Sequence, residues 1–274
     1  MDTASVNGVR LAYEVVGEGE PVLLIGGFGM PPTAWHIHQV PALTEAGYRV
    51  VTFANRGVLR SSAPPGKYSV AAMTADTVGL IEHLDLAPCR VVGVSLGGFI
   101  AHELARVHPH LVRAAVLVAS AGRATSFVRA KLWAERSFLT MLRDASSYEL
   151  ADTLTVSLPS SVLQNDDATV DRWLQLLRGQ NRVWSHPDAR LAQYHAVWDW
   201  LLDRGHAARS ADVPVPCLVV AFEHDLYFPP RVGREAAEAM PRGEFVQIAG
   251  AAHAGWLERA DAVNSAILSF LARH

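Results

Sequence analysis

The segment Gly93-Val94-Ser95-Leu96-Gly97 sets a serine between two glycines, directly after an apolar run and directly before an amphipathic one. A serine in such a strand-to-helix turn is held in strained backbone geometry with its hydroxyl raised above the sheet. The residues two before and two after it must be small, because their side chains would collide across the turn. Gly93 and Gly97 meet that need, and Gly98 adds room for close packing. The six residues Gly93–Gly98 lack the Lys-Ser/Thr of a phosphate-binding loop and the spacing of a dinucleotide fingerprint. A hydroxyl is a weak nucleophile until a base takes its proton. Of the 12 histidines, His253 is the best placed, in the small-residue loop Ala249-Gly250-Ala251-Ala252-His253 after the last expected strand. An acid that orients the base should precede it in the chain. Asp225, just past the apolar run Cys217–Phe222, is the candidate, with its neighbour Glu223 as the substitute. Acyl chemistry also needs donors for a developing oxyanion. The backbone N–H of Leu96, at the start of the helix after the serine, is one candidate. Phe28, in the loop Gly26-Gly27-Phe28-Gly29, is the other, and Gly27 there lets the backbone approach a substrate.

Such residues must be positioned by a scaffold, and the hydropathy pattern supplies one. Val22–Gly26, Arg49–Phe53, Arg90–Val94 and Val116–Ser120 read as buried strands. Helical patterns at Ile37–Ala46, Val70–Leu84 and Leu96–Val107 lie between them. Met73, Thr77, Val78, Ile81 and Leu84 form one stripe in the second. This alternation predicts an α/β fold, a mostly parallel central sheet flanked by helices. Val6–Val15 around Asn7-Gly8 reads as a hairpin added at one edge. From about Arg123 the pattern turns helical and gathers tryptophans (Trp133, Trp173, Trp184, Trp198, Trp200). The alternation resumes with Cys217–Phe222 and Phe245–Ile248 as strands, and Arg231–Met240 and Ala262–Ala272 as helices. We therefore expect one α/β core, residues 1–122 and 206–274, interrupted by a helical cap over 123–205. The cap should set the size and polarity of the pocket. Trp133 within it and His36 past the oxyanion loop are the candidate substrate contacts.

Composition narrows the function classes. The chain has 274 residues, a net charge of −3 and half its residues hydrophobic. There is no basic footprint for nucleic acid, and no apolar stretch approaches the ~20 residues of a membrane span. Met1–Gly8 has neither a cationic nor an apolar signal region. The two cysteines, Cys89 and Cys217, are too few for a disulfide framework, so a reduced, cytoplasmic setting is expected. His36 and His38 form an H-x-H, but no further ligand has suitable spacing, so no metal is expected. The expected partner is a small-molecule substrate; the oligomeric state is not legible.

Taken together, these segments resemble the α/β-hydrolase superfamily, in its small capped serine esterase, lactonase and perhydrolase-like branch. The likeness runs over nearly the whole chain apart from the cap. It rests on the Ser95 motif, the turn Glu223-His224-Asp225 with Pro229 following, and His253 with Glu258 five residues on. Trp35 sits where the family often has a tryptophan after the oxyanion loop. The resemblance implies a Ser-His-Asp mechanism with no metal or organic cofactor. It also implies an enzyme acting on a carboxylic ester, thioester or lactone. Epoxide hydrolases and haloalkane dehalogenases share the fold but need a carboxylate nucleophile where this chain has Ser95. The sequence departs from the family in two places. Gly26 stands where the oxyanion loop usually begins with a bracing histidine. The family segment D-x-R-G-x-G-x-S reads Ala54-Asn55-Arg56-Gly57-Val58-Leu59-Arg60-Ser61, with Ala for Asp and Leu for the second Gly. These departures keep open a biosynthetic use of the same triad for acyl transfer, cyclisation, elimination or C–C cleavage. A ligand-binding protein on the same fold is the remaining alternative.

Overall fold

The computed structural model describes residues 1–141, 146–178, 183–203 and 205–274. Eight strands form one sheet in the order β1-β2-β4-β3-β5-β6-β7-β8. They are β1 (Asp2–Val6), β2 (Val9–Val16), β3 (Glu20–Ile25), β4 (Tyr48–Phe53), β5 (Cys89–Val94), β6 (Val112–Val118), β7 (Cys217–Phe222) and β8 (Gly243–Ile248). β1, β2 and β4 pair antiparallel. From β4 through β3, β5, β6 and β7 to β8 every pairing is parallel. Asn7 (φ 46°) and Gly8 (φ 74°) both take positive φ in the turn between β1 and β2, which an Asn-Gly pair does most readily.

The apolar runs of the parallel strands are long because both their faces are covered. Val22, Leu24, Val50, Val92, Val116, Leu218 and Val220 share one buried cluster with Leu43 of α1 (Gln39–Glu45) and Ile267 and Phe270 of α11 (Ala260–Leu271). Leu23, Ile25, Val51, Val91, Leu117 and Val219 face the other way. They pack with Met73 and Leu80 of α2 (Val70–His83), Phe99 and Leu104 of α3 (Leu96–Val107), and Ala236 of α9 (Pro230–Ala239). The chain leaves β3 toward β4 on one side and returns to β5 on the other. That reversal opens a crevice at the carboxyl ends of β3 and β5, where open α/β sheets bind ligands.

Between β6 and β7 lie α4 (Ser126–Met141), α5 (Ser146–Ser157), α6 (Ser160–Asn165), α7 (Asp167–Arg178) and α8 (Ala189–Leu202). Residues 142–145, 179–182 and 204 of the expected cap lie outside the described residues. The short helix α10 (Gly255–Glu258) follows β8. Among the described residues no helix is long and apolar enough to cross a membrane.

Several expected boundaries shift by a residue or two, and two elements differ more. The strand expected over 116–120 runs from Val112 to Val118, because Ala119 turns to φ 48° and ends it. Its start was masked by Arg113 and two alanines, which carry little strand signal. The helix expected over 37–46 is a 3₁₀ turn over Pro32–Ile37 followed by α1.

Candidate active site

Ser95 caps the N-terminus of α3 at φ 51°, ψ −119°, a conformation non-glycine residues seldom adopt. The surrounding packing over-determines it. Ser95 N–H donates to the Val118 carbonyl at 2.9 Å, hanging the turn on β6. A Cβ on Gly93 would come within 2.2 Å of the Gly97 carbonyl oxygen, and one on Gly97 within 2.0 Å of the Ile25 oxygen. Only hydrogen fits at either position. Gly27 approaches from the end of β3, its α-carbon so close that a Cβ there would lie 3.4 Å from the Ser95 Cβ.

His253 follows β8. Its Nε2 stands 3.1 Å from Ser95 Oγ and its Nδ1 2.9 Å from Asp225 Oδ2. The Asp225 side chain is fully buried, whereas that of His253 is 19% exposed. The other carboxylate oxygen of Asp225 accepts the N–H groups of Tyr227 (2.8 Å) and Phe228 (3.0 Å). Phe228 stacks on the imidazole at 5.8 Å and Tyr227 leans against it at 5.4 Å. Glu223 is turned elsewhere and accepts the Gly250 N–H at 2.8 Å. Between the two acids, it is Asp225 that meets the histidine.

Leu96 is the first residue of α3, so its N–H has no carbonyl one turn back. Among the described residues neither it nor the Phe28 N–H has an acceptor. The Phe28 loop is braced without the family's histidine. Asn55 Nδ2 donates to the Gly26 carbonyl (2.9 Å), and Gly29 N–H donates to Gln193 Oε1 (3.1 Å). Gln193 Nε2 in turn donates to the Arg56 carbonyl (2.8 Å). Arg56 is itself fixed by a bidentate pair with Asp76 at 2.6 and 2.7 Å. Phe28 packs its ring on Tyr194 (4.2 Å) and Trp184 (5.1 Å).

The second departure from the family pattern also has a physical account. Ala54 is wholly buried in a cluster with Ala12, Val58 and Trp184, where an aspartate would be desolvated. Residues 57–59 run beside 183–185: Ser185 N–H donates to the Gly57 carbonyl, Leu59 N–H to the Val183 carbonyl, and Val58 bridges Trp184. Ala54 and Leu59 belong to a seat for Trp184, and Leu59 keeps its side chain half exposed.

Two expected substrate contacts are placed elsewhere. His36 Nε2 lies 2.9 Å from Glu14 Oε2 on β2, three strands from β5. Trp133 is 59% exposed. It sits two residues from both Lys131 and Glu135, about 200° around α4 from that inward pair. The hydropathy of a lone tryptophan did not reveal its face. Asn55, Gln193, Tyr227 and Glu135 escaped sequence reading.

The helices between β6 and β7 also reach the histidine loop. The His253 and Ala254 N–H groups donate to the Val156 and Ser157 carbonyls at the end of α5, each at 3.2 Å. Trp173 Nε1 of α7 donates to Glu258 (2.7 Å). On α4, Glu135 accepts the Tyr227 hydroxyl at 2.7 Å. Burial, and then the Glu135 carboxylate, hold that phenol well above its ordinary range, so it stays a donor.

Comparison with known proteins agrees with this architecture. The family described as "alpha/beta hydrolase fold" matches residues 20–260. A Mycobacterium tuberculosis protein bearing the name non-heme bromoperoxidase BpoC is 39% identical over 270 residues, covering 96% of this chain and 98% of its own length. Its crystal structure superposes with a TM-score of 0.86 at 38% identity, over 96% of both chains. A protein of Azorhizobium caulinodans named as the carbamate hydrolase RutD is 26% identical, covering 95% of this chain and 94% of its own. The enol-lactonase from Burkholderia xenovorans LB400 superposes with a TM-score of 0.84 at 25% identity, over 99% of this chain and all of that one. The chain therefore belongs to the α/β-hydrolase-fold family and is an enzyme of hydrolase type.

Proposed function

We propose that the protein hydrolyses a carboxylic ester, thioester or lactone through an acyl-enzyme on Ser95. The observation that carries this reading is the unbroken line Ser95 Oγ–His253 Nε2, His253 Nδ1–Asp225 Oδ2, at 3.1 and 2.9 Å. His253 takes the Ser95 proton as Oγ attacks the carbonyl carbon, then returns it to the leaving alkoxide, thiolate or ring oxygen. Asp225 fixes the imidazole with its proton on Nδ1 and stabilises the imidazolium. The N–H groups of Phe28 and Leu96 receive the oxyanion, and a helix N-terminus at Leu96 favours that negative charge. Water activated by His253 then releases the acid. Residues 123–205 act as a cap, with Trp184 and Tyr194 against Phe28 and the end of α5 against the histidine loop. No metal or organic cofactor enters any step.

The test is turnover of p-nitrophenyl esters from acetate to octanoate, with fluorophosphonate labelling located by mass spectrometry. Wild type should turn over and label on Ser95 alone. Ser95→Ala should abolish both, and Asp225→Asn should slow turnover by about 10⁴-fold. Near-wild-type rates in either variant would refute the assignment.

The name of the 39% identical relative favours a second reading, acyl transfer to hydrogen peroxide in place of water. Peroxide attack on the acyl-enzyme yields a peracid and free Ser95; the peracid oxidises bromide to hypobromite and reverts to the acid. Bromination that requires acetate, peroxide and bromide together, and disappears in Ser95→Ala, distinguishes it.

A further inference from the structure

The chain has two lysines, Lys67 and Lys131, and the second is largely shielded from solvent. The Lys131 side chain is 10% exposed, with its ammonium 3.0 Å from Glu135 Oε1 and in contact with the Asp152 carboxylate of α5. Glu135, 8% exposed, also accepts the Tyr227 hydroxyl, and the Lys131 ammonium stands 5.5 Å over the Tyr227 ring. Removing three charges from water is costly, and well-packed apolar residues often serve stability as well or better. A brace between α4 and α5 therefore does not by itself account for the cluster.

What the cluster holds is Tyr227. This residue is fixed at both ends: its backbone N–H donates to Asp225 Oδ1 and its hydroxyl to Glu135. Between those anchors its ring lies against His253 at 5.4 Å. Released from Glu135, the ring loses its outer anchor, and the wall it gives the imidazole loosens. The imidazole must hold two hydrogen bonds in line at once, and an error of about 1 Å in such a geometry costs up to ~100-fold in rate.

Resting on the triad reading above, we propose that Glu135, clamped by Lys131, is a positioning residue that acts through Tyr227 to hold His253 between Asp225 and Ser95. By this means the helical insertion contributes to the chemical step as well as to the pocket.

The experiment measures p-nitrophenyl butyrate kinetics and thermal melts for full-length Tyr227→Phe, Glu135→Ala and Glu135→Gln, with Ser95→Ala alongside. Tyr227→Phe and Glu135→Ala should each lower kcat by about tenfold while KM stays within about twofold. Glu135→Gln keeps an acceptor for the phenol and should recover most of the loss. Wild-type kcat in folded Tyr227→Phe overturns the proposal, and this variant decides alone if Glu135→Ala does not fold. A loss confined to KM, or one that Glu135→Gln does not rescue, equally overturns it and reduces the cluster to a brace. Turnover surviving in Ser95→Ala refutes the triad reading itself, an outcome separate from all of these.

Discussion

Replacing Gln193 with methionine tests how the oxyanion loop is held. The side chain is wholly buried and bridges the Gly29 N–H to the Arg56 carbonyl at 3.1 and 2.8 Å. Methionine nearly conserves the volume, so the cavity contribution is small. What remains is two buried backbone groups without partners, each costing about 1–3 kcal/mol. The sum, ~2–6 kcal/mol, corresponds to a fall in Tm of about 5–20 °C for a domain of this size. A catalytic effect should follow from the same break. Complete loss of an oxyanion donor typically costs ~10²–10³ in kcat; a Phe28 N–H displaced with its loop should cost at least about tenfold. Differential scanning fluorimetry and ester kinetics on the same preparation read both. A Gln193→Met enzyme that melts within about 2 °C of wild type with unchanged kcat would refute the reasoning. It would then be Asn55, on the Gly26 carbonyl, that holds the loop alone.

Asp76→Ala should be among the most destabilising substitutions, because it strands the buried Arg56 guanidinium now held at 2.6 and 2.7 Å. A loss of about 3–5 kcal/mol, read as a lowered urea midpoint, is expected. Gly97→Ala places a methyl 2.0 Å from the Ile25 oxygen. It should separate α3 from β3, cutting turnover and lowering stability by roughly 1–3 kcal/mol or more; a fully active variant would contradict the account of the turn. Burial pushes the Cys89 and Cys217 thiols from 9.0 up to about 12, so native protein at pH 8 should resist iodoacetamide until urea unfolds it. Because the folded pKa is the higher one, the thiols' contribution to stability is complete below pH 9 and declines as pH rises toward 12. Urea midpoints at pH 8 and pH 10.5 should fall accordingly, less steeply in a Cys89→Ala/Cys217→Ala variant.

The sheet was legible because its strands are buried on both faces and its helices are punctuated by motifs. Cys217–Phe222 and Leu96–Val107 end where the hydropathy pattern ends. Ser95, His253 and Asp225 were legible for a different reason: each terminates a strand-to-loop junction whose residue types are sterically or chemically restricted. Asn55 and Gln193 lack such a signature. Their importance comes from meeting a loop 29 and 164 residues away, and ordinary amides carry no trace of that meeting in local sequence. The face of α4 was obscure as well. Trp133 reads as a substrate contact, whereas the structure turns Lys131 and Glu135 inward and leaves the tryptophan outward. A helix that buries charge defeats inference from hydropathy.

The two carbonyls that α5 offers to the His253 and Ala254 amides bear on how such an enzyme can diversify. Insertions between neighbouring parallel strands are exchangeable in principle, since the sheet closes beneath them whatever their length. Here the exchange is constrained, because a transplanted insertion must bring two acceptors to the same spot or leave the histidine loop with orphaned donors. The end of α5 is therefore inherited with the core, together with Glu135 on α4, Trp173 on α7 and Gln193 on α8, which also reach it, and variation is left to the insertion positions that touch none of these.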